Sequence, residues 1–277
     1  MDYGIQLYSV RDTMNDAEGI RDTFRKLREM GYTQVQTAGC EIPFADFGRI
    51  AAEEGLQIVG THEPFDPMVE NFEEALANHQ ALNTKFMGIG LYTRSQEPEV
   101  WYDFCRKANE VGKKCAEHGM KFTYHNHSFE FVKMANGESA FDILIRELDP
   151  ETTSFCLDTY WIQHGGGDVC SWIEKLASRI DILHLKDMQR LPHFKDKVGY
   201  QFYTEIGQGN MDWERIIETA DRCGVKYYIV EQDTCPGDPF DSTVCECGSG
   251  SGRTVTVCLH RGWVWNGGIF RAIVALH

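Results

Sequence analysis

Short apolar runs alternate with amphipathic stretches from the first residues to about position 242. Residues 3–10 (YGIQLYSV) read as a strand. In 17–30, Ile20, Phe24, Leu27 and Met30 recur at helical spacing until Gly31 stops the helix. The unit then repeats: strands at 32–37, 57–62 and 85–90 alternate with helices at 43–54, 68–82 and 98–118, the last opened by Pro98 and closed by Gly119. KFTYHNHSFEF, residues 121–131, supplies the fifth strand, followed by a helix at 140–148. Strand 153–158, helix 169–177 and strand 180–185 come next. A turn-rich insertion at 188–211 then precedes a helix capped by Asp212 and an eighth strand at 227–231. Eight strands alternating with seven helices predict an α/β chain folded as a single (β/α)8 TIM barrel. An open dinucleotide-binding sheet would show G-x-G-x-x-G after the first strand, and none stands there.

The pattern breaks after PGDPFDS, where the closing helix of the barrel is due. Residues 243–277 hold one acidic residue, no lysine and a Gly/Ser run, and RTVTVCL alternates as a strand does. The expectation is a barrel over 1–242 with its last helix aberrant or missing, followed by an atypical, poorly packed segment over 243–277.

Composition narrows the function. A net charge of -15 argues against nucleic acid, whose non-specific binding draws on clustered Lys and Arg. No apolar run reaches 18 residues, and the first ten residues carry no secretory pattern, so the expectation is a cytoplasmic protein with no membrane partner. In that compartment most of the ten cysteines read as reduced, buried small hydrophobes; the C-x-C at Cys245 and Cys247 is a weak metal signal.

The chemistry lies where the later strands end. Glu130, Asp158, His184 and Glu231 fall at or just beyond the ends of strands five to eight, which are neighbours around one rim of a barrel. Three carboxylates and an imidazole suit a hard or borderline divalent ion, most simply Mn²⁺ or Mg²⁺, with Co²⁺ and Zn²⁺ as alternatives. An ion with open positions takes two adjacent oxygens of a polyol or hydroxy-ketone and stabilises the enediolate formed by proton abstraction. Glu130 and Glu231 are then candidates for base and conjugate acid as well as ligands, and His125, His127 and Lys186 for binding hydroxyls or oxyanions. His62, Glu63 and Trp161 are candidate specificity residues on the loops. The plainer reading of each histidine is a satisfied core hydrogen bond, and that of Lys186 is an ion pair with Asp187 or Glu231.

QLYSVRD at 6–12, YHNHSFEF at 124–131, LDTYW at 157–161, HLKD at 184–187, GQGNMDW at 207–213 and VEQD at 230–233 together resemble the sugar phosphate isomerase/epimerase family. These are xylose isomerase-like TIM barrels related to AP endonuclease family 2. The resemblance covers about the first 240 residues. It implies a barrel whose divalent metal is held by Glu130, Asp158, His184 and Glu231, with His125 or His127 as alternative sources of the first ligand. The reading is a metal-dependent isomerase or epimerase of a small sugar, sugar phosphate or polyol. A dehydratase of an inosose-like substrate and a non-catalytic sugar-binding barrel are the alternatives, and homo-oligomerisation is left open.

Overall fold

The computed structural model describes residues 3–194, 197–235 and 237–243, with the backbone of four short strand pieces between 248 and 272. The barrel strands are β1 (Tyr3–Gln6), β2 (Gln34–Gln36), β3 (Gln57–Gly60), β4 (Phe86–Ile89), β5 (Lys121–His125), β6 (Thr153–Asp158) and β7 (Ile180–Leu185). An antiparallel hairpin, β8 (Asp187–Phe194) and β9 (Lys197–Thr204), precedes the eighth barrel strand, β10 (Tyr227–Val230). Their hydrogen-bonded order is β3-β2-β1-β10-β7-β6-β5-β4, all parallel. The free edges of β3 and β4 meet at a seam stitched just above the strands, where the Glu63 amide donates to the Gly88 carbonyl (2.9 Å) and the Gly88 amide to Thr61 Oγ1 (3.1 Å). A Cβ at Gly88 would collide with the Thr61 carbonyl oxygen, so glycine is what lets the two edges close.

Surrounding the strands are α1 (Ala17–Glu29), α2 (Phe44–Glu53), α3 (Phe65–Glu70), α4 (Phe72–Ala81), α5 (Pro98–Glu117), α6 (Ala140–Glu147), α7 (Thr159–His164), α8 (Val169–Leu176), α9 (Trp213–Arg222) and the single turn α10 (Pro239–Ser242). The ends follow local chemistry. Asp16 Oδ1 caps α1 by accepting from the amides of Glu18 and Gly19, and Ile20, Phe24 and Leu27 turn its apolar stripe onto the sheet. Ser139 and Asp142 form a capping box on α6.

The packing separates into two clusters. A large one lies between sheet and helices; a small one joins Val59, Phe86, Cys156, Ile182 and Ile229, one residue from each of five strands. The small cluster fills the barrel interior. Side chains in a strand alternate faces, so the same interior face continues from Cys156 to Asp158, from Ile182 to His184 and onward to Lys186, and from Ile229 to Glu231.

Three expectations change. The helix read over 68–82 is two, α3 and α4, because Asn71 leaves helical geometry (φ -140, ψ 67) and bonds Glu74 through its side chain. The first strand stops at Gln6, whose side chain accepts from the Tyr8 amide and starts a 3-10 turn over Leu7–Thr13. The 188–211 insertion contains the β8–β9 hairpin, and α7 follows β6 directly. After β10 the described residues hold only α10 where a full helix is due. Among the strand pieces, Gly248–Ser249 pairs with Arg253–Thr254. Most of 244–277, with Cys245 and Cys247, lies outside the described residues, and the seven cysteines that are described are unpaired. Among the described residues no helix is long and apolar enough to cross a membrane.

Candidate active site

A cavity of about 980 Å³ opens at the C-terminal ends of the barrel strands. At its floor the structure gathers His125 from β5, Asp158 from β6, His184 from β7 and Glu231 just after β10, with one donor atom of each within 4.8 Å of the others. His125 Nε2 stands 3.4 Å from Asp158 Oδ2 and 3.9 Å from Glu231 Oε2; His184 Nδ1 stands 2.9 Å from Glu231 Oε2 and 3.7 Å from Asp158 Oδ2. Four donors about 2.1 Å from one tetrahedral ion would lie about 3.4 Å apart, in the middle of this range.

What surrounds the four donors decides whether they fit an ion. The other ring nitrogen of His184, Nε2, is 2.5 Å from Gln36 Oε1, and the other nitrogen of His125, Nδ1, is 3.1 Å from the Gly90 carbonyl. Both acceptors take an N–H, so both rings can turn an unprotonated nitrogen toward the carboxylates, the arrangement that orients imidazole ligands in metal centres. Asp158 is set from two sides: its Oδ1 caps α7 by accepting from the Trp161 amide (2.9 Å), and its own amide donates to Asn126 Oδ1 (2.9 Å). That leaves Oδ2 for the site. The two oxygens and two nitrogens suit a borderline divalent ion.

Lys186 lies two residues beyond His184 on the same face, fully buried. Its Nζ is 2.6 Å from Asp233 Oδ1, 3.2 Å from Glu231 Oε2 and 3.7 Å from Asp158 Oδ2. Burial disfavours every charge here, yet the mutual attraction outweighs it. Lys186 stays protonated well above its ordinary range, Glu231 is ionised far below the usual carboxylate value and Asp158 is held at about 2. Burial likewise opposes a proton on His184, but Cys156, Glu231 and Asp158 outweigh it and raise its affinity for one; an ion at Nδ1 would displace that proton.

The walls are aromatic. The rings of Trp161 and Tyr203 have centroids 6.0 Å apart, and both lie about 5 Å from Lys186 Nζ (5.0 and 5.1 Å). His127 packs against Trp161 at 5.1 Å and against Phe129 at 5.3 Å. His62 lies 4.8 Å from the His125 ring and 5.4 Å from that of His184, with Nδ1 3.2 Å from Gln6 Nε2. Burial first, then the neighbouring His125 and Lys186, push His127 down to about 3, and burial with the adjacent histidines keeps His62 neutral. Four buried polar atoms on residues of this lining have no protein partner: His62 Nε2, Glu63 Oε1, His127 Nδ1 and Trp161 Nε1. Unsatisfied buried groups are rare, and their concentration around one cavity is what a polar ligand would relieve.

The sequence reading thus finds Asp158, His184 and Glu231 together, with His125, Lys186, His62, His127 and Trp161 around them. Glu130, which the sequence reading also put there, is not among the gathered donors. Glu130 sits in a 3-10 turn beyond β5, wholly buried, accepting from the Tyr124 hydroxyl (2.8 Å) and the His127 amide (2.8 Å). Its place at the floor is taken by His125, which shares strand parity with the interior face. Gln36, Gly90 and Tyr203 were not read from the sequence; Gln36 carried a signal, as a polar residue two positions beyond a glutamine on a short buried strand. Asp187, the last residue of HLKD, bonds the amides of Gly207 and Gly209 and Trp213 Nε1 (2.7 Å) instead of entering the site, which accounts for the GQGNMDW motif structurally.

Residues 24–239 match the family described as the xylose isomerase-like TIM barrel. Among characterised relatives, the chain is 28% identical over 155 residues to an inosose dehydratase of Geobacillus thermodenitrificans, covering 52% of this chain and 51% of that one. It therefore spans about half the length of the curated relative it matches. Among solved structures, a sugar phosphate isomerase/epimerase from Parabacteroides distasonis superposes with TM-score 0.70 at 24% identity, over 87% of this chain and 94% of that one. An L-ribulose 3-epimerase superposes with TM-score 0.65 at 14% identity, over 85% and 82%. At those identities the structures bear on the fold, while the family match spans more than three quarters of the sequence. This chain belongs to the xylose isomerase-like TIM barrel family.

Proposed function

We propose that the chain is a metal-dependent isomerase or epimerase that moves a proton at the carbon next to the carbonyl of a small sugar, sugar phosphate or polyol-derived ketone. The observation that supports this most is the floor of the cavity, where two oriented imidazoles and two carboxylates face one point beside a buried ammonium. His125, Asp158, His184 and Glu231 would hold the divalent ion, Mn²⁺ for preference. When bound it would act as a Lewis acid on the substrate carbonyl and the adjacent hydroxyl.

The chain's own groups supply the rest. Glu231 is the base. In the resting site it is a weak one, because Lys186 and the imidazoles hold its charge. As negative charge develops on the substrate oxygen, the Lys186 ammonium can turn toward it, and Glu231 then loses one of the cations that depress it. Stabilising the enediolate and strengthening the base are thus one movement. Trp161 and Tyr203 offer a flat wall to the C–H face of a sugar, and neutral His62 and His127 offer hydrogen bonds to hydroxyls. Glu130, shut away from the cavity, is assigned to holding the His125–His127 turn.

A second reading is favoured by the relatives named inosose dehydratase: the same enediolate can expel a hydroxyl on the neighbouring carbon and lose water. Incubation of the Mn²⁺-loaded protein with a panel of ketoses and inososes, followed by product identification by NMR, tests both. A ketose epimer or positional isomer supports the first reading and an unsaturated product the second. Absence of turnover across the panel would contradict both and leave a sugar-binding barrel.

A further inference from the structure

Proton transfer that inverts a carbon needs a second group, on the face of the substrate away from Glu231, and Glu130 is closed off from that face. We propose that Glu63 is this second catalytic residue, delivering a proton from the β3 side of the cavity; the inference rests on the proton-transfer reading above.

The topology places it there. Around the barrel, β3 and β7 are four strands apart in a ring of eight, so Glu63, three residues beyond the end of β3, stands across the mouth from His184 and Lys186 on and beyond β7. Its position is fixed by the seam, since its amide donates to the Gly88 carbonyl at 2.9 Å. The side chain lines the same cavity as Glu231 and Lys186, together with residues that follow β1, β2 and β4, among them Tyr8, Gly39 and Leu91.

The carboxyl is also the one acid of the lining with no cation beside it. Glu231 and Asp233 both contact Lys186, whereas among the described residues Glu63 has no ion pair, and its Oε1 is buried without a hydrogen-bond partner. Burial raises its proton affinity to about 7, against weaker opposing contributions from the Gly39 amide and Thr37. A carboxyl half protonated near neutrality, on the opposite side of the cavity from Glu231, is suited to giving and taking a proton.

The step balances without any further reactant. Glu231 takes the proton from the carbon next to the carbonyl, the C–H pair becomes the C=C of the enediolate, and the carbonyl oxygen takes the charge. Glu63 then gives its proton to the opposite face of the same carbon, the C=C pair forms the new C–H bond, and the carbonyl is restored. Both carboxyls return to their starting states by exchange with water. In an elimination, the Glu63 proton would leave with the departing hydroxyl as water.

The test uses the full-length, Mn²⁺-loaded protein in deuterated water with the C3-epimeric ketopentoses L-ribulose and L-xylulose and with 2-keto-myo-inositol, comparing wild type with Glu63→Gln and Glu63→Asp. For Glu63→Gln, product formation should fall at least 100-fold. Deuterium exchange from the substrate that presents its proton to Glu231 should stay within about threefold of wild type, while exchange from its epimer disappears. Glu63→Asp should restore part of the turnover, and the melting temperature of Glu63→Gln should not fall, since an uncompensated carboxyl is being removed. Equal loss of exchange and product, or wild-type turnover in Glu63→Gln, would overturn the assignment while leaving the proton-transfer reading intact. Wild-type protein that neither exchanges nor converts any of the probes would sink that reading and this inference with it.

Discussion

Glu130 offers a quantitative check on the site because its carboxyl is fully buried with no ion pair among the described residues, accepting from the Tyr124 hydroxyl and the His127 amide. Burial raises its proton affinity from 4.5 to about 7, the hydrogen bonds from Tyr124 and nearby backbone amides and the charge of Arg94 opposing this only in part. The folded-state value lies above the unfolded one, so the protonated group favours the fold below pH 4.5, and that advantage is lost as pH rises through about 7. At about 1.4 kcal/mol per pH unit, the interval is worth about 3 kcal/mol. Glu130→Gln removes the titration while keeping the shape. In metal-free protein, urea denaturation at pH 4 and pH 8 should show the variant gaining about 3 kcal/mol on wild type between the two, or roughly 6–12 °C in melting temperature for a chain of this size. A gap that does not change with pH would refute the assignment of Glu130 as a buried structural acid. So would a variant that falls furthest behind wild type when Mn²⁺ is added, the behaviour of a metal ligand.

Lys186→Met leaves Asp158, Glu231 and Asp233 without their ammonium, so the metal-free variant should lose about 3–5 kcal/mol, recover much of it with Mn²⁺, and turn over at least 100-fold more slowly; calorimetry with and without the ion reads all but the last. Gln36→Leu removes the acceptor that orients His184 and should weaken Mn²⁺ binding 10–100-fold by titration, with no effect expected if His184 does not bind the ion. A Cβ at Gly209 would collide with the Asp187 carboxylate and come within 2.6 Å of the Met188 carbonyl oxygen. Gly209→Ala should therefore cost about 1–3 kcal/mol, and an unchanged melting temperature would show that the turn after β9 is not held by Asp187.

The barrel was legible because each βα unit announces itself: apolar runs of strand length, helical stripes such as Ile20–Phe24–Leu27, and glycines where helices stop. The convergence of Asp158, His184 and Glu231 was legible because each ends or follows an apolar strand on the interior face. Glu130 misled because residue type alone prefers a carboxylate ligand, while the strand ends at His125 and the next turn carries Glu130 under the site. Counting parity from Thr123 to His125 would have pointed to the histidine. The β8–β9 hairpin escaped because Pro192 interrupts its first strand pattern, and α7 because an Asp that ends a strand can cap the following helix without any visible stripe. Glu63 was noticed only as a loop residue, since nothing local in THEP shows that the opposite side of the barrel mouth lacks an acid.

The most direct measurement is solvent deuterium at the substrate carbon next to the carbonyl, followed by NMR with ketose and inosose probes at matched protein concentration. The account predicts incorporation with wild-type protein and Mn²⁺, its disappearance on chelation and return on adding the ion, and little or none in Asp158→Asn or His125→Ala under conditions where Glu130→Gln still exchanges. Incorporation that is indifferent to chelation and survives in Asp158→Asn would contradict it.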